Sequence, residues 1–294
     1  MNRPDVHEVH RRWRSVADAA EPPRVLVGET WVGELERLAE FYGSGVDELH
    51  LAFNFVFAEA DFDTSVLAPI VARTEELLPA EAWPVWMMSN HDLVRAPTRW
   101  GEDDPARARL ALVLLLTLRG TAVLYYGDEL GMPETDVPAE RVVDPVGLLR
   151  EPHRPGRDGA RTPMPWSAGP GGGFTAPGVE PWLPFGELEA VNVAAQRDDP
   201  GSTLCLCRDL IALRRREADL RTGAYKQLDA PAGGWAFARG ERAVVALNLS
   251  AESLRVDGVS GTVEVGTDRR RDGEAVGGAL ELGPWDGVVL LSAR

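Results

Sequence analysis

Glu29 in "RVLVGETWV" and Asp92 in "SNHD" each arrive directly after an apolar run. Asn90 and His91 stand beside Asp92, and Arg95 and Arg99 follow a few residues on. An amide, an imidazole, a carboxylate and two guanidinium groups at the rim of a core can grip a polar ligand and move protons around it. Two carboxyls facing one crevice suit glycosidic-bond chemistry. One, protonated, donates to the leaving oxygen, and a carboxylate on the other side steadies the cationic sugar ring. Trp31, Phe53, Tyr125 and Trp166 could supply faces for sugar rings to stack on. A plainer account stays open for each: a lone Asp or Asn in such a place usually caps a helix, and a lone aromatic usually packs a core.

These groups need a scaffold that gathers distant positions at one rim. "RPDVHEVHRRWRSVADAA" (3–20) reads as an amphipathic helix whose apolar face carries Val6, Val9, Trp13 and Val16. Strands are expected at 24–30, 46–55, 82–92 and 121–129, with helices at 33–43, 64–78 and 104–120 between them. Strand and helix alternate at spacings of roughly 25 to 40 residues, as parallel-sheet units require. Each strand is apolar along its length, which predicts cover on both faces, and turns polar only at its carboxyl end. That is where barrels and open parallel sheets keep their sites. Residues 132–195, rich in Pro and Gly, read as a long functional loop, and 203–218 as a helix. From 220 onward short alternating strands predict a small antiparallel β-sandwich. The expected fold class is thus α/β, with a partial barrel over 1–219 and a β domain over 220–294.

Hydrophobic residues at 44% and charged residues at 26% are ordinary for a globular protein. The net charge of −15 argues against nucleic acid or an anionic membrane surface as partner. Lys226 is the only lysine among 31 basic residues, a bias that carries no chemistry. Cys205 and Cys207 lie two apart in a helical pattern, point in different directions and are poorly placed to bridge. Residues 1–25 lack the apolar segment of a signal peptide, and no run is long enough to span a membrane. A cytoplasmic location is expected.

"RVLVGETWV", "SNHD", "VLYYGDELGM", "RDGARTPMPW" and "LGPWDGVVL", in this order and spacing, resemble the α-amylase superfamily of glycoside hydrolases (family 13). They are most similar to its α-glucosidase and oligo-1,6-glucosidase branch. The resemblance implies a (β/α)8 barrel and a retaining mechanism on α-linked gluco-oligosaccharides such as maltooligosaccharides. It makes Glu29 the general acid/base. It makes His91 and Asp92 the pair that holds sugar hydroxyls and stabilises the transition state, with Asn90 and Phe53 beside the sugar. Arg161 resembles a substrate-contacting arginine, while Asp128 and Glu129 are expected to structure their loop. No cofactor or metal is implied.

The resemblance also implies a nucleophilic aspartate in a Gly-Phe-Arg-x-Asp-like motif at the fourth barrel strand. None lies upstream of Glu29. The family's first four strands, its small inserted domain, a further substrate-contacting histidine and any early-loop calcium site have no counterpart either. The expected architecture is therefore the C-terminal half of the barrel, about four βα units, plus the β domain. Two functions follow. One is an α-glucosidase-type hydrolase lacking the nucleophile-bearing half, with a separate N-terminal half or self-association supplying cover. The other is a non-catalytic carbohydrate-binding or assembly protein on the same scaffold. Intact Glu29, His91 and Asp92 favour the first.

Overall fold

The apolar 104–120 run becomes the helix Pro105–Thr117 because Asp104 Oδ1 accepts the Ala106 N–H at 2.9 Å and Pro105 opens the first turn, where a missing N–H costs nothing. Residues 110–117 are all buried, so this helix is central. The structure, a computed structural model, describes residues 3–149 and 156–293.

Four short parallel strands carry the first part: β1 (Val27–Gly28), β2 (Leu51–Ala52), β3 (Val85–Met87) and β4 (Thr121–Val123). β1 pairs with β2 and β3 with β4, and a bridge from Phe53 to Val85 joins the two pairs, so the strands lie in sequence order. They exist where expected but are far shorter than the apolar runs. Pro84 has no N–H to give a ladder and holds β3 to a start at Val85. At the carboxyl ends, side chains turn the chain away. Asn54 Oδ1 takes the Phe57 N–H at 3.0 Å and caps Phe55–Glu59, while Asn90 Oδ1 takes the N–H groups of Asp92 and Leu93, both at 2.8 Å.

Cover on both faces fails at β1. Val25 and Val27 are 62% and 52% exposed, because among the described residues β1 has a partner on one side only. The helix Val6–Asp18 also departs from expectation. Val9, Trp13 and Val16 point to solvent, while His10 and Ala17 are buried against the chain. Buried Glu48 supplies the reason: it binds His7 and Arg11 and so fixes which side of the helix faces in.

Beyond the helix Thr203–Arg216 lie six antiparallel strands, β5 (Tyr225–Leu228), β6 (Gly234–Arg239), β7 (Ala243–Asn248), β8 (Leu254–Gly266), β9 (Ala275–Leu282) and β10 (Gly287–Leu291). They form one sheet in the order β5-β6-β7-β10-β8-β9 rather than the expected sandwich of two. Trp235, Phe237, Val245, Leu247 and Val289 join the core around the Pro105–Thr117 helix, whereas Ala236, Ala246, Val288 and Leu290 face the other way. Irregular pairing between Asp257 and Ser260 lets the long β8 bend, and Val256, Val259 and Val263 pack on that second face. A bend thus does the work of a second sheet. The core runs unbroken from the helices into the sheet. Buried Arg239 donates to the Thr117 carbonyl, and Arg214 to Leu116 and Leu118 at 2.8 and 2.9 Å, so arginines satisfy the helix's last carbonyls.

Candidate active site

Parallel strands put all their carboxyl ends on one side, and Glu29 follows β1 directly while the 89–92 loop follows β3. One strand separates them, a distance of about 10 Å between strand axes. Glu29 is exposed and, among the described residues, has no hydrogen-bond or ion-pair partner.

Asp92 is held on one side. Its Oδ1 accepts Arg157 Nη1 at 2.9 Å and Arg161 Nη2 at 2.8 Å, with His91 Nε2 at 3.6 Å. Its Oδ2 accepts nothing from the described residues. Arg161 also donates from Nε to the His91 carbonyl at 2.9 Å, which ties the motif "RDGARTPMPW" to "SNHD". Arg157 is fixed from behind by Asp144, which takes its Nε at 3.0 Å, its Nη2 at 2.8 Å and its backbone N–H at 2.8 Å. These bonds hold the Asp144 carboxyl well below the usual carboxylate range and raise Arg157 further above its own. Buried Asp158 completes the frame by accepting the N–H groups of Val143 and Asp144 at 2.7 and 2.9 Å. The arrangement gives a carboxylate with one oxygen anchored by two guanidinium groups and the other without a partner among the described residues. That suits a polyol ligand.

Below this rim the polar groups are structural. Arg95, fully buried, donates to the carbonyls of Tyr126 and Ala160 at 2.6 and 2.8 Å and lies over both Tyr125 and Tyr126 rings. Arg99 donates to the Met88 carbonyl at 2.7 Å, and burial brings its pKa down to about 10. Asp128 and Glu129 accept the N–H groups of Tyr125 and Gly127, and burial pushes Asp128 up to about 7. Both therefore shape the loop after β4, as expected.

The sequence-predicted site residues divide accordingly. Asp92, His91 and Arg161 converge, and Glu29 follows β1 at the carboxyl ends of the same run of parallel strands. Asn90 spends its side-chain oxygen on the turn. Phe53 packs with Phe55, Ala58 and Met87 and links β2 to β3 through its backbone. Trp31 stacks on Phe55 at 4.3 Å. Trp166 lies with Phe174, Trp182 and Arg161 around a hollow of about 410 Å³. Sequence reasoning missed Arg157, Asp144 and Asp158. Arg157 was within reach, since it opens the motif that yielded Arg161.

The sequence pattern of the alpha-amylase catalytic domain matches residues 1–223. A probable alpha-glucosidase of Rhizobium meliloti is 36% identical over 262 residues, covering 86% of this chain and 47% of the relative. An oligo-1,6-glucosidase of Heyndrickxia coagulans is 29% identical, covering 79% of this chain and 49% of the relative. The crystal structure of an alpha-glucosyl transfer enzyme, XgtA, superposes with a TM-score of 0.87 at 34% identity, over 99% of this chain and 55% of its own. The chain thus spans about half the length of the relatives it matches.

Proposed function

The chain belongs to the α-amylase family, and on that premise we propose that it is the acid/base-bearing part of a retaining α-glucosidase acting on α-linked gluco-oligosaccharides. One observation carries the reading. Asp92 is pinned through Oδ1 by Arg157 and Arg161 and its Oδ2 accepts nothing from the described residues, while Glu29, at the carboxyl end of β1, is exposed and has no partner among them. In this account Glu29 protonates the glycosidic oxygen and later deprotonates water, while Asp92 and His91 hold sugar hydroxyls as the ring flattens. Trp166 and its neighbours would receive the leaving sugar. The nucleophile comes from polypeptide outside these 294 residues, whose strands would complete a barrel on the open edge of β1. The exposed Val25 and Val27 support that completion. Residues 1–219 are then the catalytic part and 220–294 the β domain that buries its back. A cytoplasmic setting accords with two free cysteines, and among the described residues no helix is long and apolar enough to cross a membrane.

The test pairs this chain with a segment carrying the family's nucleophile. Alone, the chain should hydrolyse an aryl α-glucoside barely above background, because residues that act as a unit lose most of the rate together. The pair should turn over. In the pair, Glu29→Gln should abolish cleavage of maltose yet spare the first step with an activated aryl glucoside, which needs no proton. Asp92→Asn should depress both. Ordinary maltose hydrolysis by the isolated chain, unchanged by Glu29→Gln, would refute the assignment.

A further inference from the structure

His7, His10 and Glu48 lie away from the proposed site, and their ligand atoms sit within 4.8 Å of one another. Among the described residues they form the one such cluster of three His, Cys, Asp or Glu side chains. His7 and His10 are three apart on the helix Val6–Asp18, so their rings project from one face. Glu48 reaches them from the loop before β2. Its Oε2 stands 2.8 Å from His7 Nδ1 and 3.7 Å from His10 Nδ1. Those separations bracket the roughly 3.4 Å expected between donors that share a tetrahedral ion at about 2.0–2.2 Å.

Two further features favour an ion over a plain hydrogen-bonded knot. His10 is 8% exposed, and its Nδ1 makes no hydrogen bond, standing 3.7 Å from the Glu48 carboxylate. A buried polar atom left unsatisfied is costly unless something else binds it. Arg11 Nη1 meanwhile donates to Glu48 Oε1 at 2.7 Å, which orients the carboxylate and leaves Oε2 to the two rings. The Glu40 carboxylate lies 3.9 Å from His7 Nε2, where a partner that orients a ligating imidazole belongs. A hollow of about 540 Å³ bounded by His7, Glu40 and Glu48 gives an entry path and room for water.

The geometry points to a site for a divalent first-row transition ion, with Zn²⁺ the natural occupant, held by His7 Nδ1, His10 Nδ1 and Glu48 Oε2 and completed by water. Two imidazoles and a single carboxylate oxygen are borderline ligands, which disfavours Mg²⁺ and Ca²⁺. On binding, His7 gives up its Nδ1 proton and takes one from solvent on Nε2, so the neutral ring ligates through Nδ1 and carries its single N–H toward Glu40. The Arg11 charge beside Glu48 opposes the ion and sets the affinity below that of an unpaired carboxylate. The ion would clamp the Val6–Asp18 helix onto the chain before β2.

The experiment titrates ZnCl₂ into the chelator-treated chain in phosphate-free buffer, read by calorimetry and by the NMR resonances of the histidine rings. One ion per chain is expected. His7 and His10 should shift together while His50 and His91 stay in place, and the thermal midpoint should rise with Zn²⁺ but not with Mg²⁺. His10→Gln should weaken binding at least about tenfold. No saturable binding, ring shifts that leave His7 and His10 unmoved, or a folded His10→Gln chain that binds Zn²⁺ unchanged would each overturn the site. Should His10→Gln fail to fold, the ring shifts of the unaltered chain decide.

Discussion

At Asp128 a carboxyl sits where water does not reach, and its titration becomes a property of the fold. Burial raises it from 3.8 to about 7, against the pull of Ser89, the Tyr125 N–H and Arg95. The folded state therefore holds this proton more tightly than the unfolded chain. Between about pH 4 and 7 the folded protein binds the extra proton, so stability falls as pH rises through that window and levels off above it. The interval corresponds to about 4 kcal/mol at most. Asp128→Asn keeps an oxygen for the Tyr125 N–H at 2.9 Å and cannot titrate. Denaturant unfolding at pH 4.5 and 7 should show the variant losing less stability across the interval, and parallel behaviour would remove Asp128 from the account. The site itself was legible at this scale only in part. Asp92, His91 and Arg161 stand in short motifs whose residue types announce their chemistry. Asp144 supports Arg157 from 13 positions away, and such a pairing leaves no periodic trace in a sequence.

Between elements, a single glycine governs how the central helix feeds β4. Gly120 has φ of +130°, and a Cβ there would come within 2.5 Å of the Pro84 carbonyl oxygen and 2.8 Å of Trp86 Nε1. Both the backbone and the space thus exclude a side chain. Gly120→Ala should destabilise the protein by about 2 kcal/mol or more, measured as a lower urea midpoint, and an unchanged midpoint would show that the junction can relax. Element by element, the sequence was a good guide to existence and a poor one to extent. The 64–78 and 203–218 patterns became the helices Thr64–Leu77 and Thr203–Arg216, because capping side chains fix their starts: Asp63 on Ser65 and Ser202 on Cys205. The parallel strands shrank to two or three residues, since apolarity records burial and not pairing. β5 (Tyr225–Leu228) leaves no alternating pattern in the sequence, because only its two end residues are part-buried and Lys226 and Gln227 are exposed. The outward turn of Val9, Trp13 and Val16 has the same root: amphipathicity says that a helix has an apolar face, but not what will cover it.

For the whole molecule, the exposed apolar residues are unevenly placed, and that unevenness predicts behaviour in solution. Of the fourteen large hydrophobic side chains exposed among the described residues, six fall between Val9 and Trp31. They decorate the Val6–Asp18 helix and the segment around β1, whose outer edge has no partner strand among the described residues. An open parallel edge beside uncovered valines and tryptophans is a template for association. The 294-residue chain should therefore self-associate at micromolar concentration despite its charge of −15, since that charge repels neighbours but does not cover the edge. Trp13→Glu with Val16→Glu should move the chain toward monomer in light scattering while leaving its thermal midpoint nearly unchanged, because both side chains already face water at 56% and 72% exposure. Addition of the nucleophile-bearing segment should have the same effect through the opposite route, by burying the face instead of polarising it. The two treatments should then compete: the double variant should bind that segment less well and regain less glucosidase activity. A monodisperse monomer from the unaltered chain, or full rescue of the double variant, would mean that this face is not where the rest of the barrel docks.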